Sequence, residues 1–216
     1  MQVGDRPRHQ GRRPPLVPSS RIEEWTIQER HAGSMSTFDL ASVVLVPWPS
    51  LTVEAVLDLL CHNREHLAPW VPLWEPDYLT AETQGRLLVE AEQAEQAGRE
   101  AAFGVVEAGS PNLVGRVRIS RIERGAFQSA HLGYFIDRDC CGRGYATAAV
   151  SAMTRWAFAD AGLHRLQAAV MPNNRGSIRV LEKCGYRREG LSVRYLKIAG
   201  AWCDLLLFAR TAEDSP

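Results

Sequence analysis

The chain has 216 residues, 23% of them charged and 45% hydrophobic, with a formal net charge of zero, which is the composition of one soluble globular domain. That balance gives no electrostatic reason to expect DNA or an anionic membrane as a partner, and no apolar run approaches the ~20 residues a membrane span needs. Five cysteines (Cys61, Cys140, Cys141, Cys184 and Cys203) are odd in number and lack C-x-x-C spacing; they point to reduced thiols in a cytoplasmic protein and to no metal site.

Residues 1–34 read as a disordered N-terminal extension, with Pro7, Pro14, Pro15 and Pro18, six arginines, no lysine and no periodicity. Arg12-Arg13 runs into Pro14-Pro15 rather than an apolar stretch, unlike a twin-arginine export signal. The folded unit is expected over 35–216, and Met35 itself suits a translation start. Leu40 to Val46 is β-branched and apolar and predicts a first strand. Ser50 or Thr52 is placed to cap a helix running to about His66, with Val53, Val56, Leu57 and Leu60 on one face. Pro69 and Pro72 break that pattern, and Thr80 or Thr83 starts a second helix that fades near Gly98.

Three strands are predicted next: Ala101–Glu107, Leu113–Ile122 and Ser129–Ile136, separated by turns at Gly109-Ser110-Pro111 and Arg124-Gly125. A helix opens at Gly142, with Ala146, Ala149, Val150, Met153 and Ala157 at helical spacing. His164–Met171 follows as a strand, Asn174–Lys183 as a short helix stopped at Gly185, and Arg194–Ile198 and Cys203–Arg210 as closing strands around Gly200. The order βαα-βββ-α-β-α-ββ describes a mixed α/β (α+β) layered domain.

The most informative stretch joins the Ser129–Ile136 strand to the helix after it, through Asp137, Cys141, Gly142, Arg143, Gly144, Tyr145, Ala146 and Thr147. Unpaired N–H groups and the positive dipole end at a helix start favour a pyrophosphate. Glycines at 142 and 144 let backbone approach phosphates, and Ala146 keeps the first turn slim. The same G-x-G-x-A run also serves as a plain tight connection. It is neither a Rossmann fingerprint nor a P-loop.

A second run, Asn173-Asn174-Arg175-Gly176-Ser177 through Lys183-Cys184-Gly185-Tyr186, completes a pair. Together the two motifs resemble the GNAT superfamily of N-acetyltransferases, in particular its RimJ/RimL-type branch. Gly142, Gly144 and Ala146 match the first family motif; Asn174, Ser177, Lys183, Gly185 and Tyr186 match the second. The Asn63-Arg64-Glu65-His66-Leu67 segment with Trp70, the Gly133-Tyr134 pair, and Gly200 with Trp202 and Asp204 also look like that branch. One departure stands out: the Gln/Arg position opening the first motif is Cys141 here, with Arg143 as a substitute source of positive charge.

The resemblance implies a GNAT fold, a mixed sheet of about seven strands flanked by about four helices. It also implies direct transfer of acetyl from acetyl-CoA, as co-substrate and without a metal, to a primary amine. Backbone near Phe135 and Ile136 would hold the pantetheine and carbonyl oxygen where this strand splays from the His164–Met171 strand. As base, His131 stands near where the branch often has Glu, with Glu189 as the next candidate. Ser177 matches the serine facing the CoA sulfur and Asn174 the residue on the pantetheine arm, although helix capping explains both equally. Trp70, Trp74 and Tyr134 are expected around the acceptor, and Arg64 and Arg194 are candidates for a substrate anion. By resemblance the acceptor is a protein N-terminus such as that of a ribosomal protein. A small-molecule amine, a non-catalytic acyl-CoA-binding module and a nucleotide-binding enzyme remain alternatives, and a homodimer is left open.

Overall fold

Ala101 to Val106 buries every side chain, as a strand covered on both faces must; this segment lies inside the sheet around which the domain is built. The structure, a computed structural model, describes residues 38–39 and 42–214. The expected extension at 1–34, Met35 and the first two residues of the expected opening strand lie outside the described residues.

The strands are β1 (Phe38–Asp39), β2 (Val43–Pro47), β3 (Ala101–Glu107), β4 (Leu113–Glu123), β5 (Ser129–Ile136), β6 (Arg165–Val170), β7 (Arg187–Ile198) and β8 (Ala201–Thr211). They form one sheet in the order β1-β2-β3-β4-β5-β6-β8-β7. Neighbours are antiparallel throughout except β5 and β6, which are parallel. A two-residue edge piece thus adds to the seven strands expected. The helices are α1 (Val53–His62), α2 (Arg64–Leu67), α3 (Ala81–Gln96), α4 (Tyr145–Ala159) and α5 (Arg175–Lys183).

Alternation along the strands feeds two cores. One face of the sheet packs Val117, Ile119, Ala130, Leu132 and Leu166 against Ala149, Val150 and Met153 of α4 and Leu181 of α5. The other packs Val46, Ala102 and Val106 against Trp48, and against Val56, Leu59 and Leu60 of α1 and Leu88 of α3. Helix α4 is the crossover that two parallel strands require. Thr52 and Thr80, rather than Ser50 and Thr83, cap α1 and α3 by accepting from the amides of Ala55 and Thr83. Among the described residues no helix is long and apolar enough to cross a membrane.

Two elements differ from expectation. The helix expected to reach His66 stops at His62, because Asn63 spends its side chain on contacts elsewhere, and α2 restarts at Arg64. The strand expected from Arg194 begins at Arg187, with a register shift between Ser192 and Leu196. Its first half is held by hydrogen bonds to β8 although it exposes most of its side chains.

Candidate active site

Parallel pairing of β5 with β6 covers only Ser129–Arg165, Ala130–Leu166 and His131–Gln167. Beyond His131 the strands part, and a cleft of about 870 Å³ runs between them. Leu132 to Ile136 form one wall and Ala168 to Met171 the other. Strand backbone that is not in a ladder offers N–H and C=O groups to a ligand.

At the end of β5 the chain makes a one-turn 3₁₀ helix, Arg138–Cys140, capped by Asp137 Oδ1, which accepts from Asp139 N at 2.8 Å. Gly142 and Gly144 follow at φ 83° and 86°, left-handed conformations that other residues adopt at a cost. A Cβ at either meets nothing within 4 Å, so the glycines serve the backbone turn and leave the space above it open. The first loop-to-helix bond runs from Ala148 N to the Gly144 carbonyl, so Tyr145, Ala146 and Thr147 direct their N–H groups out of the helix start. Those amides, with the α4 dipole, fit a pyrophosphate.

Asn63 anchors this loop. Fully buried, it donates from Nδ2 to Leu59 O and Asp137 Oδ2, both at 2.9 Å, and accepts from Arg138 N at 2.9 Å. His62 adds a contact to Asp139 Oδ2 at 2.8 Å. Below the loop, Tyr145 donates to Glu107 Oε1 at 2.6 Å, and the Arg143 guanidinium reaches the same oxygen at 3.3 Å.

Across the cleft Asn174 caps α5 by accepting from Ser177 N at 3.0 Å. The Tyr134 hydroxyl lies 2.8 Å from Ser177 Oγ and donates to Ser177 O at 3.0 Å. Burial pushes the Tyr134 phenol far up, so it keeps its proton through the physiological range. Burial also raises Cys140 and Cys141, helped by Asp137, so neither is a thiolate nucleophile.

Of the residues expected to hold the cofactor, Phe135, Ile136, Cys141, Gly142 and Gly144 line the cleft, as do Tyr145, Ala146, Thr147, Asn174 and Ser177. Asp137 and Arg143 do not: one braces the loop through Asn63 and the other pairs with Glu107. Trp70, Trp74 and Tyr134 also line the cleft.

Other expected site residues lie outside the cleft lining. Arg64 is exposed on α2 and outside the lining, although His66 and Leu67 of the same helix are in it. Arg194 is outside it too, at a bulge where its amide donates to Asp204 Oδ1 at 2.8 Å. Glu189 is held by Arg165 and by Arg187, the latter at 3.2 Å, and the Arg165 hydrogen bond keeps its carboxyl below the usual range. So held, at the closed end of β6, it is a poor proton acceptor. His131 stands one residue before the lining, at the last paired position of β5. Its Nε2 accepts from Gln167 Nε2 at 2.7 Å, and burial, with Arg121 adding to it, lowers its pKa so that it is neutral at pH 7.

Sequence reasoning missed Arg116 and Arg118, which stand on β4 directly opposite Phe135 and Gly133 and line the cleft. Their signal is arginine at alternate positions of a strand whose intervening Val117 and Ile119 are buried. It also missed Tyr78, whose ring lies 4.8 Å from that of Trp74.

A mixed sheet with a gap between parallel strands and a glycine turn opening a helix beside it agrees with what known proteins show. The description "Acetyltransferase (GNAT) domain" matches residues 42–187. The chain belongs to the GNAT acetyltransferase domain family. It is 36% identical over 173 residues to the "Probable N-acetyltransferase YjcK" of Bacillus subtilis (strain 168), covering 80% of this chain and 96% of that protein. The ribosomal-protein-S5-alanine acetyltransferase of Vibrio fischeri superposes with a TM-score of 0.79 at 30% identity, over 84% of this chain and all of that one. Mycobacterium smegmatis RimJ, solved in complex with CoA-disulfide, superposes with a TM-score of 0.73 at 30% identity, over 84% of this chain and 92% of that one. This GNAT protein is therefore an acetyltransferase related to ribosomal-protein acetyltransferases, not the nucleotide-binding enzyme or non-catalytic module that the sequence left open.

Proposed function

We propose that the protein transfers acetyl from acetyl-CoA to the N-terminal amine of a protein such as a ribosomal protein, in the cytoplasm, where its five free cysteines stay reduced. The observation that carries the reading is the gap between β5 and β6, with the Gly142–Gly144 turn at one end and the Tyr134–Ser177 pair on its wall. The outward amides at the start of α4 and the open space above both glycines fit the pyrophosphate of CoA. The RimJ of M. smegmatis, similar in sequence and fold, is described with CoA-disulfide.

When bound, acetyl-CoA supplies an activated thioester. The rest is work for the chain. The Ile136 backbone amide, on the edge of β5 that β6 has left, is placed to stabilise developing negative charge on the carbonyl oxygen, while Phe135 stays paired with Arg116 of β4. Neutral His131 takes the amine proton by way of water on Nε2, a step that requires Gln167 to release that lone pair, and Glu189 cannot share the role while its arginines hold it. The Tyr134 hydroxyl, hydrogen-bonded to Ser177 Oγ, holds the proton that the departing sulfur needs. Trp70 and Trp74 border the acceptor side.

Incubating the protein and its Gly144→Glu variant with radio-acetyl-CoA and host-cell extract tests the reading. Label in a discrete protein band, absent with the variant, is expected. Label confined to the small-molecule fraction would replace the protein acceptor with a metabolite amine, and none above the variant's level on any amine offered would overturn acetyl transfer.

A further inference from the structure

Two arginines stand on the acceptor side of the cleft, and one has no anion. Arg118 pairs with Glu100, whose side chain is largely buried. Arg116 lies over the Trp48 ring at 4.5 Å. Among the described residues its guanidinium forms no hydrogen bond or ion pair, and its Nε is buried without a partner. Burial, with Arg118 adding to it, lowers its pKa to about 10, so it stays charged at neutral pH. Only the Nε is fully buried; the terminal nitrogens open into the cleft, where an acceptor from water or a ligand must meet them. Stacking on Trp48 satisfies none of the N–H groups.

Its position says what meets it. Arg116 stands opposite Phe135 and Arg118 opposite Gly133, so both share a face with the segment of β5 that has parted from β6. Gly133, opposite Arg118, leaves space there, since a Cβ would meet nothing within 4 Å. Tyr78, Trp74 and Trp70 border the same space. The pyrophosphate loop lies elsewhere, at the start of α4, so Arg116 faces the acceptor's share of the cleft.

We infer that Arg116 receives a carboxylate of the acceptor, so that the preferred acceptors carry a carboxylate beside the amine. The charges decide for carboxylate over phosphate. Arg116 and Arg118 against Glu100 leave a single positive charge, which a carboxylate neutralises and a phosphate dianion overshoots. A guanidinium also matches a carboxylate with two parallel N–H···O bonds. This inference rests on the proposed acetyl transfer at the same cleft. Its carboxylate has two sources: an acidic side chain near a polypeptide N-terminus, or the α-carboxylate of a small amine.

Two matched pairs of probes separate these: Ala-Glu-Ala-amide against Ala-Gln-Ala-amide, and alanine against alaninamide. Each is assayed with the full-length protein for kcat/KM of acetylation, and for calorimetric binding in the presence of CoA. One charge-assisted pair predicts that the carboxylate member of at least one pair is favoured about tenfold or more in both readouts; which pair responds identifies the source. Arg116→Gln brings that ratio to about one, and Arg116→Lys, with the charge but not the fork, falls between. Wild-type ratios near one in both pairs, no binding of either carboxylate probe, or a ratio intact in Arg116→Gln overturns the inference. Wild-type ratios decide even if Arg116→Gln fails to fold. Carboxylate-selective binding without transfer to any probe would sink the acetyl-transfer reading and keep this one; transfer without selectivity does the reverse.

Discussion

Replacing Gly144 separates the cost of the loop's shape from the chemistry of its occupant. At φ 86° and ψ −4° the residue is left-handed, and any side chain there costs about 1–2 kcal/mol. The Cβ itself touches nothing within 4 Å, so Gly144→Ala and Gly144→Glu share that cost and little more. The glutamate carboxylate even gains roughly 0.3–1 kcal/mol from the α4 dipole. Both variants should therefore unfold roughly 2–8 °C below the parent, with Glu no worse than Ala. Cofactor binding should divide them. A carboxylate about 5 Å from one phosphate charge, at an effective dielectric near 20, opposes binding by about 3 kcal/mol, or about two decades in Kd. Thermal unfolding of each variant, followed by calorimetric titration with CoA, measures both quantities. If Gly144→Glu bound CoA within about threefold of Gly144→Ala, the pyrophosphate would not lie over this turn.

Tyr134→Phe removes the hydroxyl beside Ser177 and should lower kcat at least about tenfold while leaving CoA affinity nearly unchanged; an unaltered kcat in single-turnover assays would return the pair to a packing role. Asn63→Ala strips three hydrogen bonds from a buried site, so a loss of about 2–3 kcal/mol in urea unfolding is expected, with a several-fold rise in the KM for acetyl-CoA. Destabilisation with an unchanged KM would show that the loop holds its shape without that anchor. His131 has a folded pKa below its ordinary 6.5, so the unfolded chain takes up the proton first as pH falls. The stability it contributes is present above about pH 6.5 and lost as pH falls toward the folded value. His131→Ala should flatten that slope and also remove the acid limb of the pH–kcat/KM profile. An acid limb that survived the substitution would transfer the base role elsewhere.

Much of the fold was legible because its signals are local. The all-apolar run at Ala101–Val106, the alternation along Leu113–Ile119 and the helical spacing from Ala146 to Ala157 each state which side chains must leave water. The glycine pair at 142 and 144 and the Asn174 cap were equally visible, since a left-handed turn and an N-cap depend on residues within a few positions. Local pattern was blind where distant chain decides. The first half of β7, Arg187 to Ser192, has no apolar alternation and is a strand only because β8 supplies its ladder. The helix from Thr52 ends at His62 because Asn63 is needed by Asp137 and Arg138, more than 70 positions on.

The site divides the same way. The sequence by itself determined the turn proposed to hold the pyrophosphate, since backbone conformation at Gly142 and Gly144 follows from those residues alone. Only the tertiary structure decided the polar groups, because an ionisable side chain takes its role from its neighbours. Glu189 is neutralised by Arg165 across the sheet, Tyr134 is kept protonated by burial beside Ser177, and Arg116, an ordinary arginine in the sequence, faces the cleft with its guanidinium unpaired among the described residues. Charge and pKa depend on dielectric and on distances between residues far apart in the chain, and the fold sets both.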